Sequence, residues 1–404
     1  MFSWLLALIF FIWERINIGV RFQDKGYRVS NREYTLQGEF SIFGFALVPL
    51  NPKSSSGGSV SLKSSQKAVP LWHISMVKIG NIELGEFPLL LAPMEDVSDP
   101  PFRYVCKQGG ADLMFTEFIS SEGLIRDAIK SKKKLDIFEY ERPIGIQIFG
   151  GDEDAMEMSS KIVDATNPDI VDINFGCPVK KVVCKGAGAG VLKDIDLMIR
   201  LTKAVIKGTN KPVTVKTRLG WDDTSINIME VAERLQDIGI AALSIHGRTR
   251  AQMYKGHANW EMIGEVKNNQ RIKIPIFGNG DVETPERAKE MKDKFGVDGI
   301  MIGRASIGYP WVFQEIKHFL NTGEHLPRPT LAQRAEVCKT HFLKSVEWKG
   351  EKLGILEMRR HYANYFRGLP DFKQTRMLLV TTDSLAEIVE TIDGIASRYE
   401  SITA

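Results

Sequence analysis

Between residues 89 and 302 the chain alternates short apolar runs with longer amphipathic stretches. The runs fall at 89–92, 113–116, 144–149, 170–174, 213–217, 242–245, 274–277 and 299–302, and each ends in residues that a core would not choose. Segments 154–166, 194–206, 228–238 and 285–295 carry the three-to-four-residue apolar spacing of helices. Eight strand candidates separated by crossover helices over roughly 230 residues predict an α/β chain folded as a (β/α)8 TIM barrel. A doubly wound sheet would need fewer strands, so the barrel is preferred. In a barrel, the polar strand ends converge on one rim.

The flanks read differently. Residues 1–75 open with an apolar, aromatic-rich stretch from Phe2 to Trp13, too short to span a bilayer and without the basic start of a secretory signal. A Ser- and Gly-rich linker follows at 53–67, so 1–75 is expected to be an accessory extension, flexible or a mis-assigned start. The barrel is expected over 76–325. Beyond it the pattern turns wholly helical, at 331–348, 352–367 and 384–399, predicting a small all-helical C-terminal domain over 326–404.

A net charge of +3 is too mild to diagnose nucleic-acid binding, so local clusters must carry that argument. The four cysteines show neither a CxxC pair nor a disulfide framework, which points to a reducing, cytoplasmic setting without a structural zinc site. No stable membrane association and no obligate protein partner are expected.

The most informative stretch is 170–193. There a β-branched run ends at Asn174, a Gly176-Cys-Pro178 turn presents a thiol, and a glycine-rich loop leads to a helix start at Asp194. Cys177 is the first candidate for a reacting group. The ends of the last two strands, Gly278-Asn-Gly280 and Gly303-Arg304, suit a phosphate bound by backbone N–H groups and a guanidinium. Lys216 and His246 would add charge or donors at the mouth, where the edge of a reduced flavin is anionic. Taken singly, Lys216 reads equally well as an exposed strand-end lysine and His246 as a satisfied core histidine. Gln147 is expected to hydrogen-bond the ring edge, with the backbone at Pro93 and Met94 against its face.

These residues resemble a family, the tRNA-dihydrouridine synthases of bacterial type. Its motifs stand here in order as Ala92-Pro-Met94, Ser98-Asp-Pro-Pro-Phe-Arg103, Gln147-Ile-Phe-Gly150, Asp172-Ile-Asn-Phe-Gly-Cys-Pro178, Val215-Lys-Thr-Arg218, His246-Gly-Arg-Thr-Arg250, Gly278-Asn-Gly-Asp281 and Met301-Ile-Gly-Arg304. The resemblance runs from about Val77 to the C-terminus. It implies FMN held by Pro93, Met94, Glu95, Gln147, Lys216 and His246 and, at its phosphate end, by Asn279, Gly280, Asp281, Gly303 and Arg304. The Glu95 side chain is expected to face away, leaving its backbone in contact. It also implies NADPH as reductant, hydride delivery to C6 of a uracil in tRNA, and Cys177 as the acid that protonates C5. Asn174 would hydrogen-bond the base.

A base in folded RNA must leave its stack to reach such a site, which calls for contacts elsewhere. Arg248 and Arg250 at the rim would steady the nucleotide. Arg360, Asn364 and Arg367, placed on one helix face, would meet phosphates. Two other readings stay open: an FMN barrel acting on a small free pyrimidine, and an RNA-binding scaffold without redox chemistry.

Overall fold

The computed structural model describes the backbone of residues 76–403 and the side chains of 76–399. The expectation for 1–75 lies outside the described residues. Eight strands form a closed, all-parallel barrel: β3 (Leu89–Leu91), β4 (Leu113–Phe115), β6 (Ile144–Phe149), β7 (Ile170–Asn174), β8 (Val213–Arg218), β9 (Ala242–His246), β10 (Ile276–Asn279) and β11 (Gly299–Ile302). β11 pairs with β3, and β4 pairs with β6, so the ring closes. The predicted eight strands are all present. Their ends move by at most two residues, the largest shift being at β10, where Pro275 precedes the first ladder residue and supplies no N–H.

Two features escaped the pattern. A two-residue strand β5 (Ile119–Ser120) lies alongside β6. The antiparallel hairpin of β1 (Val77–Ile79) and β2 (Ile82–Gly85) sends Ile79 and Leu84 into one apolar cluster with Leu90, Leu113, Phe115, Ile170, Ala242, Phe277 and Met301. This cluster fills the lower barrel. A second, larger core lies between the strands and the surrounding helices and includes Val171, Ile173, Val215 and Ile245. Alternation along each strand therefore divides the residues between the two, as period-two geometry requires.

The helix ends follow their caps. Asp152, Asp194 and Thr284 accept N–H groups from Ala155, Leu197 and Arg287, starting the helices Glu153–Ala165, Ile195–Gly208 and Pro285–Phe295.

The C-terminal residues are helical, with their own apolar cluster that includes Phe342, Tyr362, Tyr365, Leu379, Ile388 and Ile392. The expected helix 352–367 is broken. Glu351–Met358 ends in a turn, and Tyr362–Tyr365 is one further helical turn. No proline or glycine marks the break in the sequence. The turn sends His361 inward against the Phe102 ring, 6.1 Å away, while Tyr362 and Tyr365 enter the helical core. The helix Lys373–Thr381 was not foreseen. Among the described residues no helix is long and apolar enough to cross a membrane.

Candidate active site

At the C-terminal ends of the strands the barrel interior turns polar. Asp172 pairs in register with Thr214 and Gln147, Asn174 with Lys216, Arg218 with His246, and His246 with Asn279. Side chains two residues apart share a face, so β7 and β8 each contribute to both a lower polar layer (Asp172, Thr214) and an upper one (Asn174, Lys216).

The lower layer is closed on itself. Buried Asp172 accepts from the Gln147 amide and the Thr214 hydroxyl, and the Gln147 carbonyl accepts from Asn174 Nδ2 at 2.8 Å. Burial raises the Asp172 carboxyl to about 6 against the pull of those donors. Gln147 is fully buried, with both ends of its amide engaged, and it does not line the cavity above. In this arrangement Gln147 braces Asn174.

The upper layer surrounds a cavity of about 340 Å³, within the usual size of small-molecule sites. One wall is the loop after β3, with Ala92, Pro93 and Met94. The Ser98 hydroxyl fixes this wall, accepting from the Met94 N–H (2.8 Å) and donating to the Met94 carbonyl (3.1 Å). Glu95 also borders the cavity, but its carboxylate pairs with Lys134.

Opposite, Asn174 uses its carbonyl to accept both the Gly176 N–H (2.9 Å) and the Cys177 N–H (2.8 Å), which ties the turn to the strand end. Cys177 is 7% exposed and borders the cavity. Burial raises its thiol above the ordinary range, with Arg218 and Lys216 pulling the other way. The thiol is therefore protonated at neutral pH.

Lys216 donates to Asn279 Oδ1 at 3.2 Å. Burial and the nearby Arg218 guanidinium lower its ammonium to about 8. Burial, with Arg218 next and other cations after it, drives His246 well below the ordinary histidine range, so it is neutral. Its Nε2 faces Arg248 Nη1 at 3.3 Å, and since arginine only donates, the proton sits on Nδ1.

At the far end, Gly280 has φ +123°, and a Cβ there would stand 2.7 Å from Ala258 Cβ. Only glycine fits that bend. Gly303 borders the same end, beside the exposed Arg304. The Asp281 carboxylate accepts from Arg248 (2.7 Å), the Ala258 N–H (2.8 Å) and Arg304 (3.2 Å), so it organises the cations.

Sequence-predicted site residues that border the cavity are thus Pro93, Met94, Glu95, Asn174, Cys177, Lys216, His246, Asn279, Gly280, Asp281, Gly303 and Arg304. Arg248 does not border it: it is 2% exposed and also donates to the Lys255 and Gly256 carbonyls. Arg250 lies 4.6 Å over the Trp221 ring. Arg360 and Arg367 sit in the helical region on either side of Asn364, linked through it by hydrogen bonds rather than along one helix. Arg218 and Tyr254 are among the lining residues that escaped selection. Arg218 stood in a quoted motif, and its place beyond Lys216 on the same face could have marked it. Tyr254, 55% exposed and 5.6 Å from Arg218, lies in a loop without a periodic signal.

Residues 90–399 match the family model described as Dihydrouridine synthase (Dus). The chain is 39% identical over 303 residues to "tRNA-dihydrouridine synthase B" of Pseudomonas putida, covering 75% of this chain and 89% of that protein. It is 36% identical over 329 residues to "Probable tRNA-dihydrouridine synthase" of Rickettsia prowazekii, covering 81% and 98%. Identity to "tRNA-dihydrouridine synthase B" of Vibrio vulnificus is 37% over 326 residues, covering 80% and 100%. With its barrel, its polar rim and its Gly-Cys-Pro turn, this chain belongs to the dihydrouridine synthase family.

Proposed function

We propose that the protein reduces the C5=C6 bond of uridines in tRNA, with Cys177 as the general acid. The observation that carries this reading is the thiol itself: it borders a cavity, its turn is fixed by Asn174, and burial keeps it protonated. Adding hydride at C6 of a uracil pushes negative charge toward C5 and the O4 enolate. A positioned proton donor at C5 completes the two-electron reduction. Asn174, whose Nδ2 has a second N–H beyond its bond to Gln147, steadies the base beside that thiol.

The cavity fits FMN by its donor set. Gly280 and Gly303 leave backbone clear of side chains, and Arg304 brings a guanidinium suited to a phosphate. Ala92, Pro93 and Met94 offer an apolar wall for a flat ring. Lys216 and neutral His246 present donors on the polar side, with Asn279 holding Lys216 in place. A bound FMN would supply the hydride for C6, with NADPH as the proposed reductant. Asp281 aims Arg304, Gln147 supports Asn174, and Glu95 contributes backbone while its side chain stays with Lys134. Arg250 is assigned to the nucleotide at the rim, and Arg360 and Arg367 to tRNA phosphates; such phosphate contacts make binding weaken steeply with salt.

Incubation with NADPH, FMN and tRNA lacking dihydrouridine, followed by nucleoside mass analysis, tests the substrate class. Dihydrouridine in tRNA, with no turnover of free uridine or orotate, is expected. Turnover of the free pyrimidine alone would refute the RNA reading.

A further inference from the structure

The cavity wall formed by residues 93–99 is fastened from two sides. Within the barrel, Ser98 clasps both backbone groups of Met94, Arg103 Nη1 donates to the Ser98 carbonyl (2.9 Å), and the Asp96 N–H donates to Glu117 (2.7 Å). The other side is held by the helical region. Lys349, the last residue of the helix Leu331–Lys349, places its ammonium between Asp99 and Glu357. The Lys349 and Asp99 side chains are 6% and 7% exposed, so this ion pair is buried. Asp99 has a second task, because its other oxygen accepts the Phe102 N–H (3.1 Å) and caps the helix Pro100–Gln108. Arg360 Nη1 donates to the Asp96 carbonyl at 3.1 Å.

The type of contact matters. Phe102 already packs against His341 and His361 of the helical region, at ring distances of 5.6 and 6.1 Å, and apolar contacts of that kind suffice for adhesion. A buried ion pair adds little net attraction, since desolvation offsets its Coulomb energy, but it fixes direction. Here the direction is imposed on Asp99, one residue from the serine that sets the position of Met94.

We infer that Lys349 is a positioning residue for the cofactor: through Asp99 and Ser98 it holds Met94 in the orientation that the ring of FMN requires. The helical region is then part of the flavin site, in addition to any contact it makes with RNA. This rests on the reading of the cavity as a flavin site.

The test uses the full chain, stripped of flavin and titrated with FMN, following flavin fluorescence and the visible spectrum without RNA. The variant is Lys349→Met combined with Asp99→Asn, which keeps an N-cap acceptor and leaves only the one-third exposed Glu357 carboxylate without its Lys349 partner. Lys339→Met is the control, since it removes an ion pair with Asp393 on the outer side of the same helix. The double variant should bind FMN roughly tenfold more weakly and alter the bound spectrum. Lys349→Arg should restore most of the affinity, and Lys339→Met should bind as the wild type does. A folded double variant with wild-type affinity and spectrum overturns the inference. A wild type that binds no FMN overturns the flavin reading itself, and this inference with it. Hydrogen exchange of the wild type needs no variant to fold: FMN should protect peptides around 94–99 and 345–360 together, and protection confined to the barrel would contradict the inference.

Discussion

His246 and His341 share a chemical state but differ in surroundings. Burial drives both well below the ordinary histidine range. His246 stands at the end of a barrel strand, faces three arginines and a lysine, and borders the cavity. His341 lies between Phe102 and His361, with Nδ1 3.1 Å from the Tyr365 hydroxyl, and does not border that cavity. The same contrast holds for the cysteines. The Cys177 thiol is raised beside a cavity, whereas Cys338 is raised by burial alone inside the helical core. A displaced pKa therefore measures enclosure. Chemistry needs enclosure together with open volume and converging charge.

The sharpest way to break this comparison is at the thiol. Cys177→Ala should lower dihydrouridine formation by roughly 10²–10⁴-fold, the usual worth of a positioned proton donor. FMN binding should be unchanged, and nucleoside analysis beside a flavin titration reads both. Cys338→Ala should leave the rate untouched.

Gly280→Ala comes next. Positive φ and the approach to Ala258 should cost about 1–3 kcal/mol of stability, read by chemical unfolding, and weaken FMN binding as well.

Lys216 sharpens the electrostatic side. Its ammonium lies at about 8 in the unliganded protein, and an anion bound nearby favours the charged form, so binding raises that value. FMN affinity should then be level below about pH 8 and fall as pH rises beyond it. Lys216→Arg, which keeps its charge, should abolish the fall in titrations between about pH 7 and 9.5.

The smallest effect is expected in the helical core. The Tyr362 hydroxyl is buried without a hydrogen-bond partner. Tyr362→Phe should leave stability within about 1 kcal/mol or raise it, and should not alter flavin binding.

The barrel was legible because apolar runs and helical spacing alternate eight times, and because caps such as Asp194 and Thr284 are local signals. The cavity residues were legible where strand ends carry motifs. What the sequence hid is long-range. Gln147 and Arg248 stand at strand ends, and their bonds to Asp172 and Asp281, contributed by the neighbouring strands, carry no signal in the local sequence. The helix break at residues 359–361 has no breaker residue and follows from His361 docking on Phe102, more than 250 positions away. The pairing of Lys349 with Asp99 is of the same kind.

The most direct test of Cys177 as the acid is rapid mixing of anaerobically reduced enzyme with tRNA lacking dihydrouridine, comparing wild type with Cys177→Ala. Fast flavin reoxidation in the wild type, slowed at least about a hundredfold in the variant, is the expected result. Equal rates in the two proteins, with dihydrouridine formed in both, would contradict the account.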